Sequence, residues 1–487
     1  MFDTIRPLLT ALQGRTVSAA ELLERSIAQI EKHDGAINAV VVRDFERARK
    51  DAAAADAAIG RGEQRPLLGI PMTVKEAINV AGLPTTWGVP GTQNIPVHED
   101  ALVIQRLKAA GAVIVGKTNV STHLADWQSY NAIYGTSNNP WNLSLTPGGS
   151  SGGSAAALAT GYVPLEIGTD IGGSLRIPAH FCGVYSHKPT HGLVPMRGIV
   201  PPGVPVLPTS PGIDFAVVGP MARSAEDLAT ALDVMAGPDE VQATAYRLAL
   251  PAARPERLSD FRVLVLDTHP LVPTSEEVRA ALNRFAEKLA ACGCKIAHGS
   301  ALLPDLAVVA DTFSPMLMSV LGADLPAAAY RELQASVSRL APDDQTAAAR
   351  HLRGFVMSHR DWMHADRRRH AIANQWRELF RSVDIVLTPV SVTTAFAHDH
   401  SEINGRRISV DGSDLPYAAQ SLWITLATLA GLPATVMPIG ASDAGLPIGV
   451  QIIGPYLEDR TTLAFAMFAE REFGGFTAPP AFADRVD

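Results

Sequence analysis

The sequence of 487 residues has little charge. Only 18% of its residues are Asp, Glu, Lys or Arg, whereas soluble domains carry about 25%. Disordered chains and coiled coils need far more charge, and a collagen-like fibre needs a strict glycine repeat, so these classes are excluded. The hydrophobic content of 47% instead predicts a large globular body with a well-buried core.

Positive charge and cysteine are also scarce. Lys and Arg number 41 against 49 Asp and Glu, so no broad cationic surface is available for phosphates, and we expect no direct nucleic-acid partner. Cys182, Cys292 and Cys294 are too few for a disulfide framework, and the last two are too close for an ordinary bridge. A reducing, cytoplasmic location is expected.

Long apolar runs are missing as well. Residues 1–6 lack the basic start of a signal peptide, and no apolar stretch with a small-residue cleavage site follows. The most apolar segment, residues 421–440, contains Gly431 and Pro433, whereas a membrane span needs roughly 20 uninterrupted residues. We therefore expect neither export nor a transmembrane span.

The periodicities present predict an α/β chain. Residues 1–62 have helical spacing, with a capping box formed by Ser18 and Glu21. From Leu67 onward, short apolar strands alternate with capped helices, which favours one large α/β/α domain with a mixed central sheet covered by helices. Within it, residues 63–240 contain the motifs that carry chemistry.

Three segments depart from this alternation. Residues from about 302 to 369 form a helical insertion, whose apolar part near Phe313–Leu325 could line a substrate pocket or could be core. The stretches 197–212, rich in Pro and Gly, and 393–412, which contains Asn404-Gly405, are predicted loops that could cover a site.

One segment is free of ionisable side chains. Residues 127–165 contain no Asp, Glu, Lys, Arg or His, and include the Gly-Ser run 147–154. A flexible linker is one interpretation, but a second Gly-Gly-Ser turn, residues 172–174, follows a short strand. Paired glycines let backbone N–H groups converge, which predicts a phosphate cradle or an oxyanion hole. Neither turn has the Gly-Lys-Ser/Thr ending of a P-loop.

An oxyanion hole requires a nucleophile, and both turns contain serine. A serine needs a base, yet no His stands in a triad context. This favours a neutral lysine as base. Lys75, Lys117 and Lys188 are candidates, and the residues alone do not choose between Lys75 and Lys117. Either needs its pKa lowered by about three units, roughly 4 kcal/mol, which burial could supply.

With these motifs the chain resembles the amidase signature family of serine amidohydrolases. The resemblance covers most of the chain and is carried, in order, by Gly69–Lys75, Gly116–Asn119, Asn139–Asn142, the two Gly-Gly-Ser turns, Cys182–Val184, Lys188–Thr190 and Leu446–Val450.

The resemblance implies a role for each matching residue. Ser174 would be the nucleophile, Lys75 the base and Ser150 the bridge between them, with a cis peptide bond from Gly149 to Ser150. The other implied positions are the oxyanion-hole N–H groups of Ile171, Gly172, Gly173 and Ser174, the supporting residues Ser151, Asp170 and Arg176, and a substrate-pocket wall of Ala125, Asp126, Trp127, Gln128 and Tyr130. Core packing is the alternative for that wall.

The implied reaction is cofactor-free and metal-free hydrolysis of an amide to an acid and ammonia or an amine, on a small-molecule substrate with an apolar or aryl part. Carbamate or anilide cleavage would use the same residues. The alternatives are the amidase subunit of a tRNA-dependent amidotransferase, which needs a partner chain, and a noncatalytic assembly subunit. The Pro-rich run after Arg197 differs from the corresponding segment of the amidotransferase subunit, which disfavours that role. A homodimer is a further expectation.

Several histidines have simpler interpretations than catalysis. His398 and His400 could bind a metal, but no third ligand is evident and solvated loop histidines are expected. His180, His187 and His191 surround Cys182 in sequence, which favours packing.

Overall fold

The computed structural model describes residues 2–207, 212–344 and 346–483. Its strands are β1 (Val40–Arg43), β2 (Pro71–Lys75), β3 (Val113–Thr118), β4 (Tyr130–Asn131), β5 (Gly135–Thr136), β6 (Leu165–Asp170), β7 (Tyr185–Lys188), β8 (Val217–Ala222), β9 (Arg262–Val265), β10 (Lys295–Ala297), β11 (Ile385–Pro389), β12 (Arg407–Val410), β13 (Ser413–Pro416), β14 (Ala434–Ala441) and β15 (Pro447–Ile453).

Its helices are α1 (Ile5–Gln13), α2 (Ala19–Ile37), α3 (Phe45–Gly60), α4 (Leu102–Ala109), α5 (Gly152–Ala159), α6 (Arg176–Cys182), α7 (Ala225–Met235), α8 (Glu240–Ala243), α9 (Glu276–Ala291), α10 (Leu306–Gly322), α11 (Ala327–Ser338), α12 (Ala347–Phe355), α13 (His359–Ser382), α14 (Leu422–Leu429), α15 (Asp459–Phe473) and α16 (Pro480–Ala483).

The centre of the described residues is an eleven-stranded sheet. Its order is β1-β3-β2-β6-β8-β7-β14-β15-β11-β9-β10. The strands β3, β2 and β6 run parallel, β8, β7, β14 and β15 pair antiparallel, and β11, β9 and β10 are parallel again. Every residue of β2, β3, β6 and β15 is buried. Since successive side chains point to opposite faces, both faces of this sheet are covered, which confirms the predicted α/β fold with a mixed sheet.

The helix α5 is the element that brings the first Gly-Ser turn to the sheet. Its sequence, GGSAAALA, is fully buried and packs against β2, β3, β6 and β8. Small side chains allow the helix to lie close to the strands, which explains why this segment has no charge: an unpaired charge here would be costly to bury. The linker interpretation of residues 147–154 is therefore wrong.

The N-terminal region differs in part from the expectation. Residues 2–62 contain α1, α2 and α3, and the Ser18 capping box is present. They also contain strand β1, which pairs antiparallel with β3 at the edge of the sheet. Three consecutive valines favour this extended conformation, because β-branched side chains suit a pleated surface better than a helix.

The segment from 302 to 369 is built from α10, α11, α12 and the first part of α13. Phe313 and Met316 of α10 are buried in a second hydrophobic cluster with Trp376 and Trp423. These two side chains therefore belong to the core and do not line a pocket. Of the stretch 197–212, residues 208–211 lie outside the described residues. Among the described residues, no helix combines the length and apolar character needed to cross a bilayer.

Candidate active site

Two parallel strands and one turn deliver the predicted catalytic residues to the same place. Strand β2 ends at Lys75 and its neighbour β6 ends at Asp170, with Thr73 opposite Glu166 in the ladder. The carboxyl ends of adjacent parallel strands meet at one edge of the sheet, where sites commonly form. The turn before α5 places Ser150 at this edge.

Lys75 contacts Ser150 directly. Its side chain is fully buried, and Nζ lies 2.8 Å from Ser150 Oγ and 2.8 Å from Thr169 Oγ1. Burial lowers the pKa of Lys75 to about 7, against the opposing negative charges of Asp170 and Glu166. A lysine with such a pKa is neutral in a large fraction of molecules near pH 7, as a general base requires.

The other two lysines are buried but face different partners. Lys117 Nζ donates to the Pro84 carbonyl and to Thr85 Oγ1, and Lys188 Nζ donates to the carbonyl of the following proline at 2.9 Å. Burial lowers the pKa of Lys117 to about 8 and that of Lys188 to about 7, so a lowered pKa alone does not distinguish the three. The hydrogen bond to Ser150 does, and it points to Lys75.

The turn that carries Ser150 requires glycine at position 149. The peptide bond from Gly149 to Ser150 is cis, as the family resemblance implies. A Cβ at Gly149 would lie 2.5 Å from the carbonyl oxygen of Asp126 and 2.6 Å from the amide nitrogen of Gln128. These are backbone atoms, which cannot move aside to make room for it. Only glycine therefore lets this turn approach the neighbouring segment 126–128 so closely.

Asp170 organises the second turn. It accepts hydrogen bonds from the N–H groups of Gly173 and Leu175, and both Nε and Nη2 of Arg176 donate to it at 2.9 and 2.8 Å. Burial would raise the pKa of Asp170, but the charge and hydrogen bonds of Arg176 outweigh this and lower it to about 2. Arg176, also fully buried, donates further to Ile424, Thr428 and Gln451.

The peptide unit between Gly172 and Gly173 is held at both ends. Trp127 Nε1 donates to the Gly172 carbonyl at 2.8 Å, and the Gly173 N–H donates to Asp170 Oδ1 at 2.9 Å. The Gly173 N–H is thus engaged by Asp170, which corrects its assignment to the oxyanion hole.

The other predicted oxyanion donors remain available. Among the described residues, the N–H groups of Ile171, Gly172 and Ser174 have no hydrogen-bond acceptor. Ser174 is 6% exposed. Ser151 supports this turn, because its N–H donates to the Ser174 carbonyl at 3.3 Å and its Oγ lies 3.4 Å from the Thr169 carbonyl.

Most of the predicted substrate wall is occupied by other parts of the chain. Asp126 forms an ion pair with Arg406 at 2.6 Å and accepts from Tyr417 Oη at 2.7 Å. Gln128 exchanges two hydrogen bonds with the backbone of Asp399. The polar groups of these side chains therefore hold the segment that follows β11, and their assignment to substrate binding stays a prediction.

The remaining members of the wall have different surroundings. Tyr130 accepts a hydrogen bond from Arg406 and stacks on His400 with ring centroids 3.8 Å apart. Ala125 is exposed, and Trp127 is half-buried beside Tyr417. Of the five predicted wall residues, Trp127 is the one that hydrogen-bonds to the second turn.

The histidines fill structural positions. His180 contacts the backbone of Thr393 and accepts from the Gly449 N–H, and burial lowers its pKa to about 4. His187 is buried against Asp459 at 3.1 Å. In the described ranges, no group of three His, Cys, Asp or Glu side chains is arranged to hold a metal ion.

Sequence reasoning missed four residues of this region: Thr169, Glu166, Arg406 and Tyr417. Thr169 and Glu166 lie on the strand that leads to the second turn, so their neighbourhood could have been inferred from the strand itself. Arg406 and Tyr417 contact Asp126 across 280 and 291 residues of chain, and no local pattern indicates those contacts.

Comparison with known proteins agrees with the family that the sequence motifs resemble. Residues 21–463 match the family model named Amidase. The A subunit of glutamyl-tRNA(Gln) amidotransferase from Anaeromyxobacter sp. (strain K) is 32% identical, over 98% of this chain and 97% of that protein.

Two solved structures share the fold over nearly the whole chain. A chain from a vestigial protein complex that reveals the evolutionary origins of an s-triazine catabolic enzyme has a TM-score of 0.82 at 29% identity, covering 98% of this chain and all of that one. A 6-aminohexanoate cyclic dimer hydrolase complexed with substrate has a TM-score of 0.76 at 26% identity, covering 97% of each chain.

Proposed function

The chain belongs to the amidase signature family of hydrolases that act on amide C–N bonds, and we propose that it cleaves carboxylic amides through an acyl-Ser174 intermediate. The observation that carries this proposal is the hydrogen bond from Lys75 Nζ to Ser150 Oγ, made by a fully buried lysine whose pKa burial lowers to about 7. A relay from a neutral lysine through one serine to another supplies the base that a serine nucleophile needs.

The first half of the proposed reaction forms the acyl-enzyme. Ser174 Oγ attacks the amide carbonyl carbon, its proton passes to Ser150, and the Ser150 proton passes to neutral Lys75. The N–H groups of Ile171, Gly172 and Ser174 stabilise the negative charge that develops on the carbonyl oxygen. Ser150 then donates a proton to the leaving nitrogen, recovering one from Lys75, because an amine leaves poorly without it.

The second half releases the acid. Water enters after the amine departs, gives a proton to the same relay, and its oxygen attacks the acyl carbon. Collapse of the tetrahedral intermediate breaks the bond to Ser174 Oγ, which takes back the proton. The two halves together consume one water per amide, and no cofactor enters the balance.

For the substrate, we propose an amide with an apolar or aryl part. Trp127 contacts the second turn and lies beside Tyr417, with ring centroids 5.4 Å apart, and Ile171 packs on the second hydrophobic cluster. Aromatic and aliphatic surface next to the nucleophile favours a substrate group of the same kind. Anilides and carbamates fit this wall equally well.

A second candidate is the amidase subunit of a tRNA-dependent amidotransferase. It is favoured by the full-length similarity to the A subunit of glutamyl-tRNA(Gln) amidotransferase. In that role the chain would release ammonia from an amide donor and would work with a partner chain.

Fluorophosphonate labelling tests the nucleophile. We expect one adduct, located by peptide mass spectrometry at Ser174 and lost in Ser174→Ala. Ser144→Ala changes an exposed serine and serves as the matched control, with labelling retained. Folded protein that gives no Ser174 adduct would rule out the hydrolase and leave the noncatalytic assembly subunit.

A substrate panel separates the two candidates. Aliphatic amides, anilides, carbamates and glutamine are compared by kcat/KM on the purified chain. Preference for the first three supports the stand-alone amidase. Glutamine preference, together with a protein partner that co-purifies from the native host, would favour the amidotransferase subunit.

A further inference from the structure

Glu166 is a second ionisable group in the dry part of the site, and its hydrogen bond crosses the strand that carries Lys75. In the sheet, β2 lies between β3 and β6. The partner of Lys75 on β3 is Thr118, and the partner of Thr73 on β6 is Glu166. Thr118 Oγ1 donates to Glu166 Oε1.

This hydrogen bond fixes where the carboxyl group lies. The two outer strands are about 10 Å apart, twice the spacing of neighbouring strands, so side chains from β3 and β6 can meet only over β2. Thr73 and Lys75 share one face of β2, since alternate residues of a strand point the same way. The Glu166 carboxyl group therefore lies over β2 on the face from which the Lys75 side chain starts.

Helix α5 closes this face from above. Ser154 Oγ lies 2.9 Å from Thr118 Oγ1, and Glu166, Lys75 and Thr118 are all fully buried. Glu166 accepts further from the N–H of Ile167 at 3.1 Å. Bulk solvent is thus kept from both the carboxyl group and the lysine, and charges interact strongly in such surroundings.

The two acids of β6 differ in their partners. Asp170 is paired with Arg176, and its lowered pKa of about 2 keeps it charged at any pH at which the protein works. Among the described residues, no lysine or arginine hydrogen-bonds to Glu166, and burial raises its pKa to about 7, in spite of the donors Thr118 and Ser154. Glu166 can therefore gain and lose its charge in the range where Lys75 does.

We propose that Glu166 is a positioning residue for the proton of Lys75: its carboxylate, held over β2, retains that proton and so sets how far the pH must rise before Lys75 becomes a neutral base. This inference rests on the function proposed above. No covalent bond changes in this proposal. Glu166 and Lys75 each bind and release one proton, which is exchanged with solvent.

The other charged groups on the neighbouring strands are engaged by other partners, although burial also lowers the pKa of Lys117 to about 8. On β6, Asp170 raises the pKa of Lys75 more than Glu166 does, but it is paired with Arg176 and keeps its charge, so its contribution stays constant. On β3, Lys117 points to the loop at Pro84 and interacts with Glu76. The segments packed on this face from α5 and β8 contain no ionisable residue.

The direction of the expected pH shift depends on the charge of Glu166. A negative Glu166 stabilises the ammonium form of Lys75 and raises the pKa of Lys75. Glu166→Gln keeps the shape and one of the two acceptor oxygens but removes the charge. Lys75 should then lose its proton at lower pH, and the acidic limb of the pH–rate profile should move to lower pH.

The experiment measures the second-order rate of fluorophosphonate labelling at Ser174 as a function of pH, which needs no knowledge of the natural substrate. For Glu166→Gln we expect the midpoint of the acidic limb to fall by about one pH unit, the lower end of the effect of a nearby charge. Labelling at pH 6 should rise several-fold relative to the plateau. The measured quantity is the midpoint of the acidic limb, because a packing defect would lower the plateau labelling rate without moving that midpoint.

Asp227→Asn is the matched control. Asp227 is also a buried carboxyl group whose pKa burial raises to about 7, but it accepts from the Ile5 N–H at the start of α1. Its loss should leave the limb where it is in the wild type. A limb that moves equally in both variants would reject a specific role for Glu166.

Thr118→Val is the second variant, for the case in which Glu166→Gln does not fold. It removes a donor that stabilises the carboxylate, so the limb should move in the same direction by a smaller amount. Wild-type protein that labels at Ser174, with a limb unchanged in every folded variant, overturns this inference and leaves the proposed function standing. Wild-type protein that does not label at Ser174 overturns both.

Discussion

Replacement of Lys75 by methionine should abolish activity and stabilise the protein. Burial lowers the pKa of Lys75 from its ordinary value of 10.5 to about 7, and at 1.36 kcal/mol per pKa unit this costs the folded state about 5 kcal/mol. The unfolded chain holds the proton up to about pH 10.5, whereas the folded protein holds it only up to about pH 7. The cost is therefore complete below pH 7 and disappears as the pH rises towards 10.5.

The net gain in Lys75→Met is smaller than this cost. Methionine has a similar length and no charge, but Ser150 Oγ and Thr169 Oγ1 lose their shared partner, at about 1–2 kcal/mol for each buried hydroxyl group. We expect the variant to be more stable than the wild type by about 2 kcal/mol at pH 7. The pH dependence of the lysine alone should reduce that advantage by about 2 kcal/mol between pH 7 and pH 9.

Urea unfolding at pH 7, 8 and 9, followed by circular dichroism, measures the difference. Lys288→Met, which changes an exposed lysine of α9, is the control and should show no gain that varies with pH. An advantage of Lys75→Met that is equal at pH 7 and pH 9 would refute the assignment of a lowered pKa to Lys75. The amide rate should fall by several decades, and near-wild-type activity would reject Lys75 as the base.

Three further predictions concern the second turn. Arg176→Met leaves the Asp170 charge buried without its cation and should lower the free energy of unfolding by about 3–5 kcal/mol, as urea titration would show; a loss below about 1 kcal/mol contradicts this. Trp127→Phe removes the N–H that holds the Gly172 carbonyl but keeps an aromatic ring, so kcat should fall about tenfold with little change in KM, and an unchanged kcat would contradict a role for this hydrogen bond. Gly168→Ala would bring a methyl group to 2.8 Å from a serine hydroxyl and a leucine methyl, so both Tm and the labelling rate should fall, and an unchanged Tm would contradict the close packing.

The residues around Lys75 and Lys117 do not by themselves show which lysine is the base. Lys75 and Lys117 both stand in buried strands, and both have a lowered pKa. The local patterns around them are equivalent, so the motif match of the family was needed to prefer Lys75. In the fold, the two side chains leave the sheet towards different loops, and Lys75 alone of the two meets Ser150.

The contacts of the predicted substrate wall could not be inferred from the sequence. The resemblance predicts a wall of residues 125–128 and 130, and in the structure Asp126 and Gln128 bind the segment that follows β11. Their partners stand some 270 to 290 residues later in the chain. Such contacts depend on how the C-terminal part docks on the sheet, which a local pattern does not encode.

By itself, the sequence determined the class of fold, the two Gly-Ser turns and the uncharged surroundings that a lysine base requires. These properties are local, because periodicity reports burial and paired glycines report backbone conformation. The tertiary structure decided which lysine reaches Ser150, that the Gly173 N–H serves Asp170, and that Glu166 lies over the strand of Lys75. These depend on strand order and on the docking of distant segments, because the partners of these buried groups come from parts of the chain that only the fold brings together.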